Sequence, residues 1–285
     1  MTDTVLLTGA TGFIGQYVLK ELKKLDIKIF CLCRNKRDHL QDKAVNWVEL
    51  DIHNLPDTDL FEYVGKPDVL IHLAWGGLPH YKSLHHFEKE LPSHYAFLKR
   101  LVESGLSNLT IAGTCFEYGL KHGPLRENIE VNPNTPYGFA KDSLRRMLEF
   151  LKQHYEFNLT WCRIFYVYGE GQPESSIFGQ IKAATQKGNK VFNMSEGEQI
   201  RDYLPVEMLS RYIVKLALLK SDVGVVNVCS GRPVSIRRLV KTWIKENHWN
   251  IDLNPGYYPY PDYEPLAFWG DKTKLDNLVK GDSHG

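Results

Sequence analysis

The feature that most constrains the fold of this chain is a glycine-rich turn close to its start. The apolar run VLLT at residues 5–8 leads directly into GATGFIG at residues 9–15, and a helical pattern follows. In such a strand–turn–helix unit, the first glycine permits a tight turn, the second lets a pyrophosphate approach backbone N–H groups, and the third lets the helix press on the strand. The spacing, G-x-x-G-x-x-G, is one residue longer at the front than the G-x-G-x-x-G form. The segment predicts a dinucleotide-binding loop formed by Gly9, Thr11, Gly12, Phe13, Ile14 and Gly15.

Short β-rich runs alternate with longer helical patterns after this turn. Strands are expected at residues 4–8, 28–33, 47–50, 69–73, 109–112 and 159–165, and helices at 13–25, 83–103 and 137–155. Such alternation is typical of a parallel sheet with helices on both faces. The predicted fold class is therefore α/β, a doubly wound parallel Rossmann sheet with a smaller mixed α/β C-terminal substrate lobe.

The pattern loosens beyond residue 169, which suggests a division of the chain. Shorter helices are expected near residues 177–186, 206–219 and 235–246, and four tyrosines among prolines and glycine at 255–265 favour an ordered loop. We expect an NAD(P)-binding Rossmann domain at 1–169 and a mainly substrate-binding lobe at 170–285, with interleaving of the two left open.

Composition and charge exclude several classes of protein. The 285 residues carry a formal net charge of +1, so no overall field would draw the chain to nucleic acid or to an anionic membrane. No apolar run approaches the roughly 18 residues of a membrane span, and the first residues lack the pattern of a signal peptide. The five cysteines, Cys31, Cys33, Cys115, Cys162 and Cys229, form no Cys-x-x-Cys pair, which predicts reduced thiols, no metal site and a cytoplasmic location.

The end of the second expected strand indicates which dinucleotide is bound. An NAD-preferring enzyme commonly places an acidic residue there, where it accepts hydrogen bonds from the ribose hydroxyls. Here Arg34 follows the strand, with Lys36 and Arg37 just beyond it. Because guanidinium and ammonium groups suit a 2′-phosphate, NADP is the expected cofactor, with NAD as the alternative.

The ends of the third and fourth expected strands complete this cofactor site. Asp51 follows the third strand and is placed to hydrogen-bond the adenine amino group, with Ile52 beside it. Leu73 and Ala74 close the fourth strand, where the small Ala74 would lie against the cofactor. The carboxyl ends of parallel strands face the ligand crevice in such folds, so these four residues are expected to line it.

A tyrosine and a lysine mark the expected catalytic helix. The segment NTPYGFAK at 134–141 contains a capping residue, then a proline, then a helical run, so Tyr137 falls in the first turn. Lys141 lies four positions later on the same helical face. Its ammonium is expected to lower the pKa of the phenol, ordinarily about 10, so that Tyr137 exchanges a proton near neutral pH. Both residues are also expected to border the cofactor.

A threonine follows the fifth expected strand. Since the carboxyl ends of parallel strands face the cofactor crevice, Thr114 should present its hydroxyl there. It can hydrogen-bond the reacting oxygen alongside Tyr137. Should Tyr137 not be the acid, Glu117 and Cys115 are the next candidates.

Taken in order, the glycine loop, Thr114, Tyr137 and Lys141 resemble the extended short-chain dehydrogenase/reductase family, whose members mostly modify nucleotide sugars. The resemblance covers nearly the whole chain. It includes RIFYVYG at 163–169, GEQIRDY at 197–203 and VNVCSG at 226–231, which are similar to the family's R-x-x-x-V-Y-G, G-x-Q-x-R-D and N-V-x-x-G signatures. It implies an NAD(P)-dependent enzyme acting on a nucleotide sugar, and a homodimer formed through the helices expected at 83–103 and 137–155.

The resemblance also implies substrate contacts. In the family, the arginine that matches Arg201 helps to hold the nucleotide diphosphate, in keeping with the fit of guanidinium to phosphate. Arg163 is instead expected to buttress the sheet edge. Tyr166 stands where many relatives have an asparagine for the diphosphate or sugar, so the donor geometry must differ there. The expected substrate-binding residues are Thr114, Cys115, Tyr166 and Arg201.

The type of reaction follows from the residues after Thr114. Sugar-nucleotide 4,6-dehydratases that resemble this chain have Asp-Glu there, whereas this chain has Cys115 and Phe116, so dehydration is not expected. The run GTCFEY at 113–118 is more similar to reductases of 4-keto-6-deoxy sugar nucleotides. That similarity implies hydride transfer from NADPH while Tyr137 gives its proton, with Lys141 and Thr114 holding the geometry. Two alternatives stay open: an NAD-dependent sugar-nucleotide 4-epimerase, and a non-catalytic NADP-binding regulator on the same fold.

Overall fold

The computed structural model describes residues 2–35 and 42–280, so Lys36 and Arg37 lie outside the described residues. Eight α-helices are found in these ranges: Phe13–Leu22 (α1), Leu60–Tyr63 (α2), Leu91–Glu103 (α3), Pro136–Leu151 (α4), Ile177–Gln186 (α5), Val206–Leu218 (α6), Ile236–Glu246 (α7) and Thr273–Lys280 (α8). The strands are Thr4–Thr8 (β1), Lys28–Cys33 (β2), Asn46–Glu49 (β3), Val69–His72 (β4), Asn108–Thr114 (β5), Gly123–Leu125 (β6), Asn158–Ile164 (β7), Tyr166–Tyr168 (β8), Val191–Asn193 (β9), Ile200–Pro205 (β10), Gly224–Val228 (β11), Pro233–Ser235 (β12), Asp252–Asn254 (β13) and Phe268–Gly270 (β14). A π-helical turn, His86–Glu90, precedes α3, and a 3-10 turn, Cys115–Tyr118, follows β5.

A parallel sheet of seven strands forms the centre of the molecule, in the order β11-β7-β5-β4-β1-β2-β3. Its middle strands are buried along nearly their whole length because both faces are covered by helices. In β1, Val5 and Leu7 pack with residues of α1 and α6 on one face, whereas Leu6 packs with residues of α3 and α4 on the other. This arrangement confirms the predicted doubly wound α/β fold.

The part of the chain beyond residue 169 contributes to two regions. Helices α5 and α7 enclose a separate apolar cluster with β9 and β10, centred on Phe178, Ile181 and Trp243. By contrast, β11 pairs with β7 at the edge of the main sheet, and Leu209 and Ile213 of α6 pack beside Val18. The cofactor side of the sheet therefore depends on residues from both parts of the chain.

Several helices end earlier than the sequence pattern predicts. The helix expected at 13–25 ends at Leu22, because the N–H groups of Lys24 and Leu25 bond three residues back, to Glu21 and Leu22. The helix expected at 137–155 ends at Leu151, because the N–H groups of Gln153 and His154 likewise bond three residues back. The helix expected at 83–103 is divided into the π-helical turn and α3. Within the described residues, no helix has both the length and the apolar content that crossing a bilayer requires.

Candidate active site

The glycine loop joins β1 to α1 in the geometry that the sequence predicts. Gly9 has a φ of +72°, and a Cβ there would lie 2.8 Å from the backbone N of Ala74. A Cβ on Gly15 would lie 1.9 Å from the carbonyl oxygen of Gly9, so only glycine lets the helix approach the turn this closely. Gly12 caps α1 and donates its N–H to Gly9 O at 3.0 Å. The loop thus leaves a side-chain-free cradle at a helix N-terminus, which fits a pyrophosphate.

A cleft of about 310 Å³ opens beside this loop. It brings together eight of the expected cofactor residues, which are Gly9, Thr11, Gly12, Arg34, Asp51, Ile52, Leu73 and Ala74. A second cleft of about 410 Å³ adjoins it and is lined by Phe13, Ile14, Gly15, Thr114, Cys115, Tyr137, Lys141 and Tyr166, among others. Gly9, Gly12, Leu73 and Trp75 border both clefts. A dinucleotide extended across the loop would therefore reach the expected catalytic residues.

Tyr137 lies at the start of α4 because its two preceding residues fix the helix there. The hydroxyl of Thr135 caps the helix by accepting the N–H of Gly138 at 3.1 Å, and Pro136 occupies the first turn. The Tyr137 side chain is buried and hydrogen-bonds Thr114. The Tyr137 N–H donates to the carbonyl oxygen of Tyr81 at 3.1 Å, which ties the helix to the loop after β4.

Thr114 ends β5 and caps the following 3-10 turn. Its hydroxyl accepts the N–H of Phe116 at 3.2 Å, and its own N–H donates to Glu117 at 2.8 Å. Glu117 is fully buried, where it also accepts from Trp161 and forms an ion pair with Arg163. The sequence leaves Glu117 as the next candidate acid after Tyr137. In the structure its carboxylate instead joins the end of β5 to Trp161 and Arg163 of β7.

Lys141 is 2% exposed and lies beneath the loop after β4. Its ammonium donates to the carbonyl oxygen of Ala112 at 2.9 Å and lies 3.9 Å from the centre of the Trp75 ring. Burial lowers the pKa of Lys141 to about 7, although the fields of Glu117 and Glu90 oppose the change. The lysine is therefore held in place by Ala112 and Trp75, but the nearby carboxylates do not fully offset the cost of burying its charge.

The acidity of Tyr137 differs from the prediction made from the helical pair. Burial raises the pKa of Tyr137 far above its ordinary value, with a smaller effect of the same sign from Tyr81, while the hydrogen bond with Thr114 opposes the rise. The expectation that Lys141 brings this pKa towards neutrality is wrong for the described structure, because burial outweighs every favourable contact. At neutral pH the phenol is protonated, which is the form that donates a proton.

Cys115 and Tyr166, expected to bind substrate, border the second cleft together with Tyr137. Burial raises the pKa of the Cys115 thiol well above its usual range, which makes it a poor acid. Burial likewise raises the pKa of Tyr166, whose hydroxyl donates to the carboxylate of Glu264 at 2.5 Å.

Arg201 lies on β10 and lines a third cleft of about 420 Å³, which shares Tyr81, Tyr166 and Ser175 with the second cleft. Its guanidinium is paired with Glu264 at 2.8 Å. The shared lining joins the cleft beside Tyr137 to the cleft beside Arg201. No sequence pattern indicates the partner carboxylate of Glu264.

A buried polar chain beside the cofactor cleft was not foreseen. Glu90 is 1% exposed and accepts the N–H of Gly76 at 2.6 Å and that of His94 Nε2 at 3.1 Å. His94 Nδ1 lies 2.8 Å from His72 Nε2, and His72 Nδ1 lies 2.9 Å from the Thr8 hydroxyl. Five of the chain's 11 histidines lie within residues 72–94, a concentration that could have signalled such a cluster.

The direction of this chain of hydrogen bonds follows from its acceptor end. A carboxylate only accepts, so His94 donates from Nε2 and, being neutral, accepts from His72 at Nδ1. His72 in turn accepts from the Thr8 hydroxyl, whose oxygen accepts the N–H groups of Leu73 and Ala74 at 3.2 Å. Burial lowers the pKa of His72 and of His94, which keeps both rings neutral. Across the described parts of the chain, no group of three or more His, Cys, Asp or Glu side chains is arranged so that it could hold a metal ion.

The chain is similar to known proteins in sequence and in fold. The chain matches the sequence model of the NAD dependent epimerase/dehydratase family over residues 5–229. It is 33% identical over 272 residues to a dTDP-6-deoxy-L-talose 4-dehydrogenase (NAD(+)) of Aggregatibacter actinomycetemcomitans, covering 94% of this chain and 99% of that relative. It is 27% identical over 258 residues to a dTDP-4-dehydro-6-deoxyglucose reductase of Escherichia coli, covering 84% of this chain and 80% of that one. A solved UDP-N-acetylglucosamine 4-epimerase from Methanobrevibacter ruminantium M1 has the same fold, with a TM-score of 0.84, 22% identity, and coverage of 98% of this chain and 92% of that one.

Proposed function

This chain belongs to the NAD-dependent epimerase/dehydratase family, as its sequence resemblance predicted, and on that premise we propose that it reduces the 4-keto group of a nucleotide-linked 6-deoxyhexose. The observation that carries the proposal is the junction of the two clefts, where Tyr137 and Thr114 face the space beyond the glycine loop. The two named relatives act on dTDP-linked 6-deoxyhexoses, which favours a thymidine nucleotide.

The chain's own residues would serve the reaction by holding and protonating the substrate. A bound reduced dinucleotide supplies the hydride. Tyr137, protonated at neutral pH, donates its proton to the carbonyl oxygen as that oxygen gains charge. Thr114, which hydrogen-bonds Tyr137, holds the same oxygen in place. Lys141, whose ammonium donates to the Ala112 carbonyl, borders the same cleft. Phe116 and Tyr81 cover the phenol and limit access of water.

A direct assay tests this activity. Purified protein with NADPH and a dTDP-4-keto-6-deoxyhexose should oxidise the cofactor and yield one 4-hydroxy epimer, identified by mass spectrometry and NMR. The alternative, a 4-epimerase, would interconvert UDP-glucose and UDP-galactose without added dinucleotide and would copurify with tightly bound NAD. Its support is the fold shared with solved 4-epimerases. Epimerisation without net cofactor oxidation would overturn the reductase proposal.

The cofactor is proposed to be NADP(H), on the strength of Arg34. This arginine is exposed and borders the first cleft at the end of β2, where no acidic side chain is present among the residues described there. A relative whose name specifies NAD(+) supports NAD as the alternative. Dissociation constants for NADPH and NADH decide between them: Arg34→Ala should weaken NADPH alone, whereas Arg126→Ala, outside both clefts, should change neither. Equal affinities for the two cofactors would contradict the assignment.

Arg201 is proposed to hold the substrate diphosphate. A bidentate guanidinium suits that group, and lysine does not reproduce its geometry. Arg201→Lys should therefore raise KM far more than it lowers kcat, because the contact is made equally in the ground and transition states. A variant with an unchanged KM would remove Arg201 from this role.

A homodimer is proposed through the outer faces of α3 and α4. Phe139 and Phe150 on α4 are 51% and 66% exposed, and because they are eleven residues apart they lie on the same side of the helix. Sedimentation should give a dimer for the wild-type protein and a monomer for Phe150→Ser.

The proposed location is the cytoplasm. All five cysteines are buried thiols without a disulfide, as in proteins of reducing compartments. Fractionation of the source cells tests this directly.

A further inference from the structure

The guanidinium of Arg201 is already engaged on nearly every side. Its Nε and Nη2 atoms donate to one carboxylate oxygen of Glu264, at 3.2 and 2.8 Å. Its Nη1 atom donates to the carbonyl oxygens of Ile200 and Leu266, at 2.9 and 3.1 Å. Its flat face lies 4.6 Å from the centre of the Phe268 ring, and the residue is 3% exposed. A group with five N–H donors thus makes four hydrogen bonds within the protein.

Glu264 is fixed from both sides. One carboxylate oxygen faces Arg201 and the other accepts the hydroxyl of Tyr166 at 2.5 Å. A phosphate bound to the same edge of Arg201 would lie against this carboxylate, and like charges in such contact cost several kcal/mol. Arg201 therefore cannot hold Glu264 and a diphosphate through the same N–H groups.

The segment that carries Glu264 is irregular, and backbone hydrogen bonds tie its two ends to the rest of the protein, from Tyr257 N–H to Met194 O and from Ile200 N–H to Leu266 O. Residues 255–266 contain no helix or strand, and the Glu264 side chain keeps 12% of its surface exposed. The exposed pair of Lys82 with Asp262 and the bond from Asn134 to the Tyr263 carbonyl hold its middle. Surface contacts of this kind contribute little to stability, so the cost of moving Glu264 is set by its own contacts with Arg201 and Tyr166, of which a diphosphate would replace the first.

We propose that Glu264 is a displaceable counter-ion that reserves Arg201 for a diphosphate and so selects nucleoside diphosphate-linked substrates. The inference rests on the proposed function. In the absence of substrate, Glu264 neutralises a buried cation that would otherwise be unpaired. A diphosphate, with more charge and a better bidentate fit, takes its place. A free sugar or a nucleoside offers no anion, so it cannot release Arg201.

The exchange also reaches the catalytic centre. Tyr263, the neighbour of Glu264, stacks on Phe116 with ring centres 6.3 Å apart and lies 6.0 Å from the ring of Tyr81. Both of these rings contact Tyr137. When a diphosphate displaces Glu264, the movement therefore reaches the rings of Tyr81 and Phe116 beside Tyr137.

Calorimetric titration with dTDP and with thymidine, without cofactor or turnover, tests the proposal. In Glu264→Gln the amide keeps an acceptor for Tyr166 but no longer carries the competing charge, so dTDP should bind about tenfold or more tightly than to wild type. Thymidine affinity should be the same in both proteins. Asp262→Asn, which neutralises an exposed carboxylate on the same segment, is the matched control and should leave dTDP affinity nearly unchanged.

Glu264→Asp covers the case in which the glutamine variant fails to fold. It keeps the charge but is one methylene shorter, so it cannot reach Arg201 and Tyr166 together, and dTDP should again bind more tightly. Unchanged or weaker dTDP binding in both folded variants overturns the inference while leaving the proposed function standing. Failure of dTDP and UDP to bind wild type and both variants overturns the inference and the proposed function together.

Discussion

At the scale of single residues, Tyr137 combines two properties that a proton donor needs. It is buried, which raises the pKa of its phenol, and it hydrogen-bonds Thr114 in the catalytic cleft. Tyr137→Phe keeps the ring and its packing but removes the proton. Because general acid catalysis typically contributes about a hundredfold to ten-thousandfold, kcat should fall by at least that lower factor. The variant should fold and bind cofactor as wild type does, since the glycine loop is untouched.

The control for this variant is Tyr155→Phe, which removes an exposed hydroxyl that pairs with Glu103 beyond the end of α4. It should leave kcat unchanged. If Tyr137→Phe retained more than about a tenth of wild-type kcat on the true substrate, the proton would have to come from another group.

The lowered pKa of Lys141 leads to a prediction about the stability of the protein that can be tested without an activity assay. Its pKa is about 7 in the folded chain, compared with an ordinary value of 10.5. Between these values the unfolded chain binds more protons than the folded one, so this residue makes stability rise with pH. The cost of burying the charge is fully present below about pH 7 and disappears above about pH 10.5.

Lys141→Met should therefore be more stable than wild type at pH 6, and the difference in free energy of unfolding should shrink as pH rises from 7 to 10. Each pKa unit corresponds to about 1.4 kcal/mol, so the gain amounts to a few kcal/mol before the lost contacts with Ala112 and Trp75 are subtracted. Urea unfolding at several pH values measures it. Lys99→Met, on the exposed side of α3, should show no such pH dependence, and a pH-independent Lys141→Met difference would contradict the prediction.

At the scale of elements, the polar chain ending at Glu90 connects β1, β4 and the π-helical turn. It begins at the N–H groups of Leu73 and Ala74, beside the glycine loop, and passes through Thr8, His72 and His94. Burial acts to raise the pKa of Glu90, but hydrogen bonds from His94 and Gly76 outweigh it and lower the value to about 2. The carboxylate is thus ionised and fixes the backbone that lines the cofactor cleft.

Glu90→Ala should cost stability and cofactor affinity together. It leaves the Gly76 N–H and the His94 Nε2–H without an acceptor, and each buried unsatisfied donor costs about 1–3 kcal/mol. Urea unfolding and titration with cofactor measure the two effects. Glu88→Ala, an exposed position on the same turn, should change stability by no more than about 0.5 kcal/mol. Loss of stability with unchanged cofactor affinity would show that this series of hydrogen bonds does not shape the cleft.

The elements also show how far sequence patterns reach. The sequence predicts β1, β2 and α5 with the bounds that the structure has, because apolar runs there end at glycines, turns or capping residues. The sequence also predicts that the glycine loop and Tyr137 line one groove, because it places both beside the carboxyl edge of the sheet. It does not reveal Glu264, which pairs with Arg201 across 63 residues from a segment without periodicity. Nor does it give the pKa of Tyr137, which depends on burial by several distant elements.

At the scale of the whole molecule, the apolar core does not divide at residue 169, where the sequence pattern predicts a boundary. The cluster that covers one face of the sheet includes Val5, Leu7 and Val18 from the first part of the chain. The same cluster includes residues of α6, β11 and α8, which are Leu209, Ile213, Val214, Leu216, Val226, Val228 and Leu275. Without these, the face would be exposed to water and β7 would become an open edge.

A fragment of residues 1–169 should therefore not fold by itself, even though it contains the glycine loop, Tyr137 and Lys141. Apolar burial is the main favourable contribution to folding, and net stability is typically only about 5–15 kcal/mol, so loss of nine of the 22 buried residues of this cluster exceeds the margin. The fragment should bind a hydrophobic dye and unfold without a cooperative transition, whereas the full chain should unfold cooperatively. Adding residues 170–285 as a separate chain should restore cofactor binding if the two parts reassemble around the shared cluster. A cooperative transition and cofactor binding by the fragment alone would instead show that the boundary at 169 separates independent domains.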